Sequence, residues 1–155
     1  GLSAGVGAAL AKKLDKIPSR VFVHMGDGEI DEGSVWEAAM SAGKYKLDNL
    51  IATIDRNSLS MEGDTESTMP LEPLEDKWRS FGWAVRTVDG HNIKELYDVL
   101  NSLPLKENKP SCIILKTIKG KGIPSMEGDF KYHYSKISDE DYQEYYKLLE
   151  KSKSN

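Results

Sequence analysis

Apolar positions along the chain recur with two different periods. From Ser34 to Tyr45, Val35, Ala38, Ala39 and Ala42 fall on one face at helical spacing, with Gly43 near the end. Ser3 to Leu14 is rich in Ala, Leu and Lys and is followed by Pro18, which predicts a second helix. Between them, Arg20-Val21-Phe22-Val23-His24-Met25 is a short apolar run that stops at Gly26-Asp27-Gly28, the signature of a buried strand ending in a loop. Leu50 to Ile54 predicts another strand, closed by the turn-forming Asp55-Arg56-Asn57-Ser58.

A loop rich in Met, Pro and Glu then leads to a short helix from Leu74 to Phe81, ended by Gly82. Trp83 to Val88 reads as a strand. Asn92 to Leu103 reads as a helix with Ile93, Leu96, Tyr97 and Leu100 at the apolar spacing. Pro110 introduces a strand running through Lys116. A last helix starts at Ser138, where Ser138-Asp139-Glu140-Asp141 resembles a capping box with Asp in place of Glu. The polar run 151–155 reads as a frayed tail.

Strands alternating with helices imply an α/β fold, a parallel sheet flanked by helices on both faces. Ligands of such sheets bind beyond the carboxyl ends of the strands, where Gly26-Asp27-Gly28 and Asp55-Arg56-Asn57 both fall. The 155 residues are expected to form one domain, 1–155. With 39% hydrophobic and 30% charged residues, the composition is that of a folded domain, not a disordered one. A net charge of −4 argues against nucleic acid or an anionic membrane as the main partner. No apolar run approaches the ~20 residues of a membrane span. Cys112 is the single cysteine, expected as a core thiol, and it points to a reducing, cytoplasmic setting. The chain opens without Met and without the basic region of a signal peptide, so a preceding segment is expected.

The glycines of Gly26-Asp27-Gly28 let backbone approach a phosphate, and Asp27 offers a hard oxygen suited to Mg²⁺. Asn57 would lie beside it if the two strands are neighbours. Other readings of these residues fail. Asp27 to Ala38 has Glu32 where an EF-hand loop needs glycine, and Ala38 where it needs a carboxylate. No Walker loop occurs. Gly5-Val6-Gly7-Ala8-Ala9-Leu10 lacks the third glycine of a dinucleotide fingerprint.

Taken together, the run Gly26 to Met40 and Asp55-Arg56-Asn57 resemble the amino-terminal half of transketolases. The thiamine diphosphate signature there is Gly-Asp-Gly, a spacer, then Asn; the spacer here is residues 29–56. Similarity continues through Pro70 to Trp78, Asp89-Gly90-His91 and Lys116 to Gly122, and is greatest to the type built from two separate subunits. The resemblance implies a thiamine-diphosphate-binding fold that moves a two-carbon ketol unit between sugar phosphates. It implies Mg²⁺, or Ca²⁺ in its place, ligated by Asp27, the Asn57 side chain and the Leu59 carbonyl. Gly28 would lie against the diphosphate and Met61 beside the thiazolium ring. Lys119 and His133 would approach diphosphate and substrate, and Glu32 would join a hydrogen-bond network at the subunit interface linking paired sites. The implied partner is a carboxyl-terminal subunit or domain that binds the pyrimidine, two such pairs making a heterotetramer.

The chain departs from that pattern at Tyr134, where glycine usually follows the histidine, and at His24, where an apolar residue is usual. His24 is expected as a strand-end core residue, His91 as structural, and Trp36, Trp78 and Trp83 as packing. For Lys119, cofactor contact stands against a solvated loop lysine. A deoxyxylulose-phosphate synthase, the alpha chain of a 2-oxo-acid dehydrogenase and a non-catalytic binding module remain as alternatives. Glu29-Ile30-Asp31-Glu32-Gly33-Ser34-Val35-Trp36-Glu37 favours transketolase among the enzymes.

Overall fold

The computed structural model describes residues 1–152; residues 153–155 and the side chains of Lys151 and Ser152 lie outside the described residues, and with them most of the run expected to fray. Helix α1 (Leu2–Leu14) leads into β1 (Val21–Gly26) and a 3-10 turn (Gly28–Asp31). Next come α2 (Gly33–Lys44), β2 (Leu50–Arg56) and a two-residue hairpin, β3 (Leu59–Ser60) with β4 (Gly63–Asp64). A single helical turn, α3 (Thr65–Thr68), precedes α4 (Leu74–Ser80), β5 (Ala84–Asp89), α5 (Ile93–Asn101) and β6 (Ser111–Lys116). A second 3-10 helix (Phe130–Tyr134) and α6 (Asp139–Ser152) complete the described chain.

The main sheet has the order β1-β2-β6-β5, and every pairing in it is parallel. Parallel strands expose their carboxyl ends along one edge, so the loops after β1, β2 and β6 meet there. The larger core lies between one sheet face and α1, α2 and α4. The face predicted for α2 is the buried one: Val35, Ala38, Ala39 and Ala42 are all closed to solvent. Trp78 and Trp83 stack edge to face at 4.8 Å, and the Trp83 indole N–H donates to the Ala39 carbonyl at 2.9 Å. Trp36 packs on Trp78 at 5.4 Å, so the tryptophans serve as packing. Cys112 is buried in this core, and that burial pushes its thiol well above the usual pKa.

The second face carries a smaller cluster of Ile51, Ile113 and Val88 under Val99 and Leu103. Here the expected face of α5 is corrected. Ile93, Tyr97 and Leu100 are exposed, while Leu96 is half-buried and Val99 and Leu103 are buried. Two apolar stripes run along this helix, and periodicity cannot choose between them. Tertiary packing selects the stripe that continues into Leu103, whose carbonyl accepts from Arg20 Nη2 at 2.7 Å. Among the described residues no helix covers β1 on this face, and Phe22 and His24 are exposed. The expectation of a core His24 is therefore wrong; its Nδ1 pairs with Thr53 Oγ1 at 2.8 Å on the open sheet surface. The capping box is present as expected: Asp141 N–H donates to Ser138 Oγ at 3.1 Å and Ser138 N–H to Asp141 Oδ2 at 3.3 Å.

The tightest approach between backbones is at Gly43. A Cβ there would sit 1.9 Å from the Phe81 carbonyl oxygen, in the turn that carries Trp83 into the core. Gly43→Ala should lower unfolding free energy by about 1–3 kcal/mol through overpacking. Gly7→Ala, which faces open space on α1, should raise it by up to about 1 kcal/mol. Denaturant midpoints at unchanged slope measure both, and an equal effect of the two substitutions would contradict the packing described.

Candidate functional site

The pairing of β1 with β2 matches Gly26 to Asp55, and the Asp27 N–H extends the ladder to the Asp55 carbonyl at 3.2 Å. Beyond that point β1 turns into its 3-10 helix, and Asp27 caps it. Asp27 Oδ1 accepts from the Gly28 N–H at 3.0 Å. Its Oδ2 accepts from the Ser58 N–H at 2.7 Å and lies 3.3 Å from Arg56 Nη1. The side chain is 2% exposed, so its charge is held by backbone amides and a guanidinium instead of water. After β2, Asn57 Oδ1 accepts from the Leu59 N–H at 3.0 Å, and its amide donates to Asp55 Oδ2 at 3.2 Å. Ser58 turns the chain with φ of 64° between them.

These loops wall one side of a cleft of about 580 Å³ at the carboxyl edge of the sheet. Asp27, Gly28, Asn57 and Leu59 line it from the ends of β1 and β2. Met61, at the tip of the β3–β4 hairpin and 68% exposed, stands over its rim. Lys119 and His133 also line it, with Lys119 Nζ 3.3 Å from His133 Nδ1. An ammonium can only donate, so Nδ1 accepts and a neutral ring carries its proton on Nε2. Tyr134 is 93% exposed, so its bulk points to solvent while His133 keeps its place in the wall. Glu32 stands apart from this group: it is exposed at the start of α2, and its carboxylate does not cap the helix. His91 holds two loops together, its Nε2 accepting from the Ile118 N–H at 2.8 Å, in keeping with a structural role.

Sequence reasoning assigned no role to the rest of the lining. Glu29, Asp31, Asp55 and Glu62 join Asp27 in the lining, five carboxylates sharing the cleft with Lys119 and His133. Asp31 has its pKa raised, first by partial burial and then by the neighbouring charge of Asp27. The acidic run immediately after Gly28 was the available signal. Thr117 donates to Asp55 Oδ1 and so ties the loop after β6 to the end of β2. Among the described residues no three Asp, Glu, His or Cys side chains converge as a metal cage. Asp27 and Asn57, which line the cleft, each keep acceptor capacity. Asp27 has about four lone-pair sites and uses three; Asn57 Oδ1 has two and uses one.

Residues 2–151 match the family model described as the transketolase thiamine diphosphate binding domain. One chain of a 6-deoxy-6-sulfo-D-fructose transketolase from Clostridium sp., named as a subunit, is 49% identical over 140 residues, 90% of this chain and 51% of that protein. One of the named subunits of an apulose-4-phosphate transketolase from Phocaeicola vulgatus is 46% identical over 144 residues, 93% of this chain and 51% of that protein. The chain thus spans about half the length of these curated relatives. Among solved structures, transketolase from Campylobacter jejuni superposes with a TM-score of 0.79 at 33% identity, over 84% of this chain and 22% of that one. Transketolase from Leishmania mexicana gives 0.82 at 27% identity, over 91% and 22%. The fold of the sheet, its motif-bearing edge and these similarities agree, and the chain belongs to the transketolase family, in its thiamine diphosphate binding domain.

Proposed function

We propose that this chain is the diphosphate- and metal-binding portion of a transketolase that transfers a two-carbon ketol unit between sugar phosphates. The observation that carries the proposal is the gathering of Asp27, Asn57, Lys119 and His133, distant in sequence, around one cleft. Thiamine diphosphate, when bound, supplies the covalent chemistry of the transfer, and the protein binds and orients it. Asp27, Asn57 Oδ1 and the Leu59 carbonyl are hard oxygen donors of the kind Mg²⁺ takes alongside phosphate and water. Gly28 presents its backbone to the diphosphate from the lining of the cleft. Met61 offers an apolar surface for the thiazolium ring. Lys119 supplies a cation to the diphosphate, and the His133 Nε2–H a donor to diphosphate or substrate. Glu32, outside the cleft, is assigned to the contact between paired subunits.

The Clostridium and Phocaeicola relatives are named for a sulfonated and a phosphorylated ketose, which supports a ketose with an anionic terminus as substrate here. Both are named as subunits, which supports a pyrimidine-binding half as a separate partner; the assembly proposed for the two is a heterotetramer. Exposed apolar side chains, among them Phe22, Ile93 and Tyr97, give such a partner surface to cover. The alternative enzyme classes and the non-catalytic reading are not favoured, because the relatives are named as transketolases and His133 keeps its place beside Lys119. No helix among the described residues is long and apolar enough to cross a membrane; a cytoplasmic site of action is part of the proposal.

The decisive test is ketol transfer from a phosphorylated ketose, measured for the chain with and without a pyrimidine-binding transketolase half. Activity is expected only with both, and no activity in the complete pair would end the proposal. A second expectation comes from charge. Five carboxylates in the cleft repel a diphosphate, so metal and cofactor should bind cooperatively. Calorimetry on the assembled enzyme should find Mg²⁺ weak alone and tighter with thiamine diphosphate. Asp27→Asn should remove that coupling; undiminished coupling would mean the metal sits elsewhere. A third concerns Lys119 and His133. A charge-assisted hydrogen bond to phosphate is worth about 1.5–3 kcal/mol, so Lys119→Ala should weaken cofactor binding roughly 10- to 150-fold. His133→Ala should chiefly lower kcat. Indifference to both substitutions would show that this wall does not meet the cofactor.

A further inference from the structure

Lys119 and His133 belong to one segment, Ile118 to Tyr134, that follows β6. Its root is fixed: the Ile118 N–H donates to His91 Nε2 at 2.8 Å, and Thr117 before it is tied to Asp55. Past Ile118 the segment bonds chiefly to itself. The Gly128 N–H donates to the Lys119 carbonyl at 2.9 Å, the Gly122 N–H donates to Glu127 Oε1 at 3.1 Å, and Lys121 pairs with Glu127 at 3.4 Å. Among the described residues, the hydrogen bonds that leave it beyond the root converge on one atom, the hydroxyl oxygen of Tyr145 in α6. Ser125 Oγ donates to that hydroxyl at 3.3 Å. The Tyr132 hydroxyl bonds to it as well, and the Tyr132 pKa is raised, first by the neighbouring Tyr145 phenol and then by partial desolvation and this bond. Tyr145 is buried, while Tyr142 and Tyr146 on the same helix are exposed. The 3-10 helix Phe130–Tyr134, which also passes beside β3, therefore faces three ways. Tyr132 meets α6, His133 lines the cleft and Tyr134 meets solvent.

We infer that Tyr145 is a positioning residue for His133: its hydroxyl takes Ser125 from the middle of the segment and Tyr132 from its end, and so holds the 3-10 helix where His133 faces the cleft. The inference rests on the proposed role of His133 in the transfer. A phenol oxygen offers acceptor sites as well as a proton, so one hydroxyl can join two partners at once. Phenylalanine would keep the buried ring and remove both bonds. Lys119 stays next to the root that Asp55 and His91 hold, so the loss would reach His133 and leave Lys119 in place.

The test is steady-state kinetics and cofactor binding on the assembled enzyme, for the wild type, Tyr145→Phe, His133→Ala and the double variant. Tyr145→Phe should lower kcat about three- to tenfold, the scale of one neutral hydrogen bond, and leave the cofactor dissociation constant within about twofold. In the His133→Ala background it should lower kcat no further, since nothing is left for it to position. Tyr132→Phe removes one of the two bonds and should act in the same direction. Melting temperatures identify folded variants, and Tyr132→Phe decides the matter if Tyr145→Phe does not fold. Tyr146→Phe, on the exposed side of α6, should leave kcat unchanged. An equal loss with and without His133 would make Tyr145 a general support and overturn the inference. An unchanged kcat in Tyr145→Phe, or an equal loss in Tyr146→Phe, would also overturn it. If His133→Ala itself keeps wild-type kcat, or the wild-type pair shows no ketol transfer, the proposed function is what fails, and this inference with it.

Discussion

The site depends on the register of parallel pairing between β1 and β2. Pairing Gly26 with Asp55, and carrying the ladder one residue further to Asp27, places two strand ends level. Asp27 then reaches the Ser58 amide across the gap, although the two residues lie far apart in the chain. A shift of one residue would turn every side chain of β1 to the opposite face and take Met25 out of the core. Burial of β2 and β6 in the sheet centre makes such a shift expensive, so the hydrophobic sheet fixes the position of the polar edge.

The core and the site are linked through the loops that follow β2 and β6. Arg56 continues β2 and then ties Asp27 to Thr65, Glu66 and Glu72, so the segment between β4 and α4 is anchored to the same carboxylate. The buried pair of Arg56 and Asp27 contributes little net stability relative to an apolar replacement, because desolvation offsets much of the attraction. Its value lies in direction: one buried carboxylate is held in a single orientation at the edge of an otherwise acidic cleft. Thr117 and His91 perform a similar service for the segment leading to Lys119. That segment then brings Lys119 and His133 together in the same cleft as Asp27.

The two sheet faces are unequal, and this bears on how the domain meets its neighbours. Helices α1, α2 and α4 cover one face with a dense aromatic and aliphatic core. Among the described residues the other carries α5 over β6 and its neighbours, and leaves Phe22 and His24 of β1 open. The chain spans about half the length of its curated relatives, and Phe22 is among its exposed apolar side chains.

Local pattern determined the α/β alternation and the buried face of α2, and it placed the start of α6 at Ser138. Each of these rests on side chains close in sequence, where period and capping chemistry act directly. The Gly26-Asp27-Gly28 and Asn57 pair was legible as well, because a strand end followed by turn residues marks the binding edge of a parallel sheet. Tertiary structure alone decided the rest. It chose between the two apolar stripes of α5, since both satisfy a helical period and only the sheet beneath distinguishes them. It left His24 exposed, because no local rule says whether a helix will cover a given strand. It collected Glu29, Asp31, Asp55 and Glu62 into one wall and set Arg56 behind Asp27. Such contacts join residues that the chain separates, and their energies depend on burial and distance, which no one-dimensional pattern encodes.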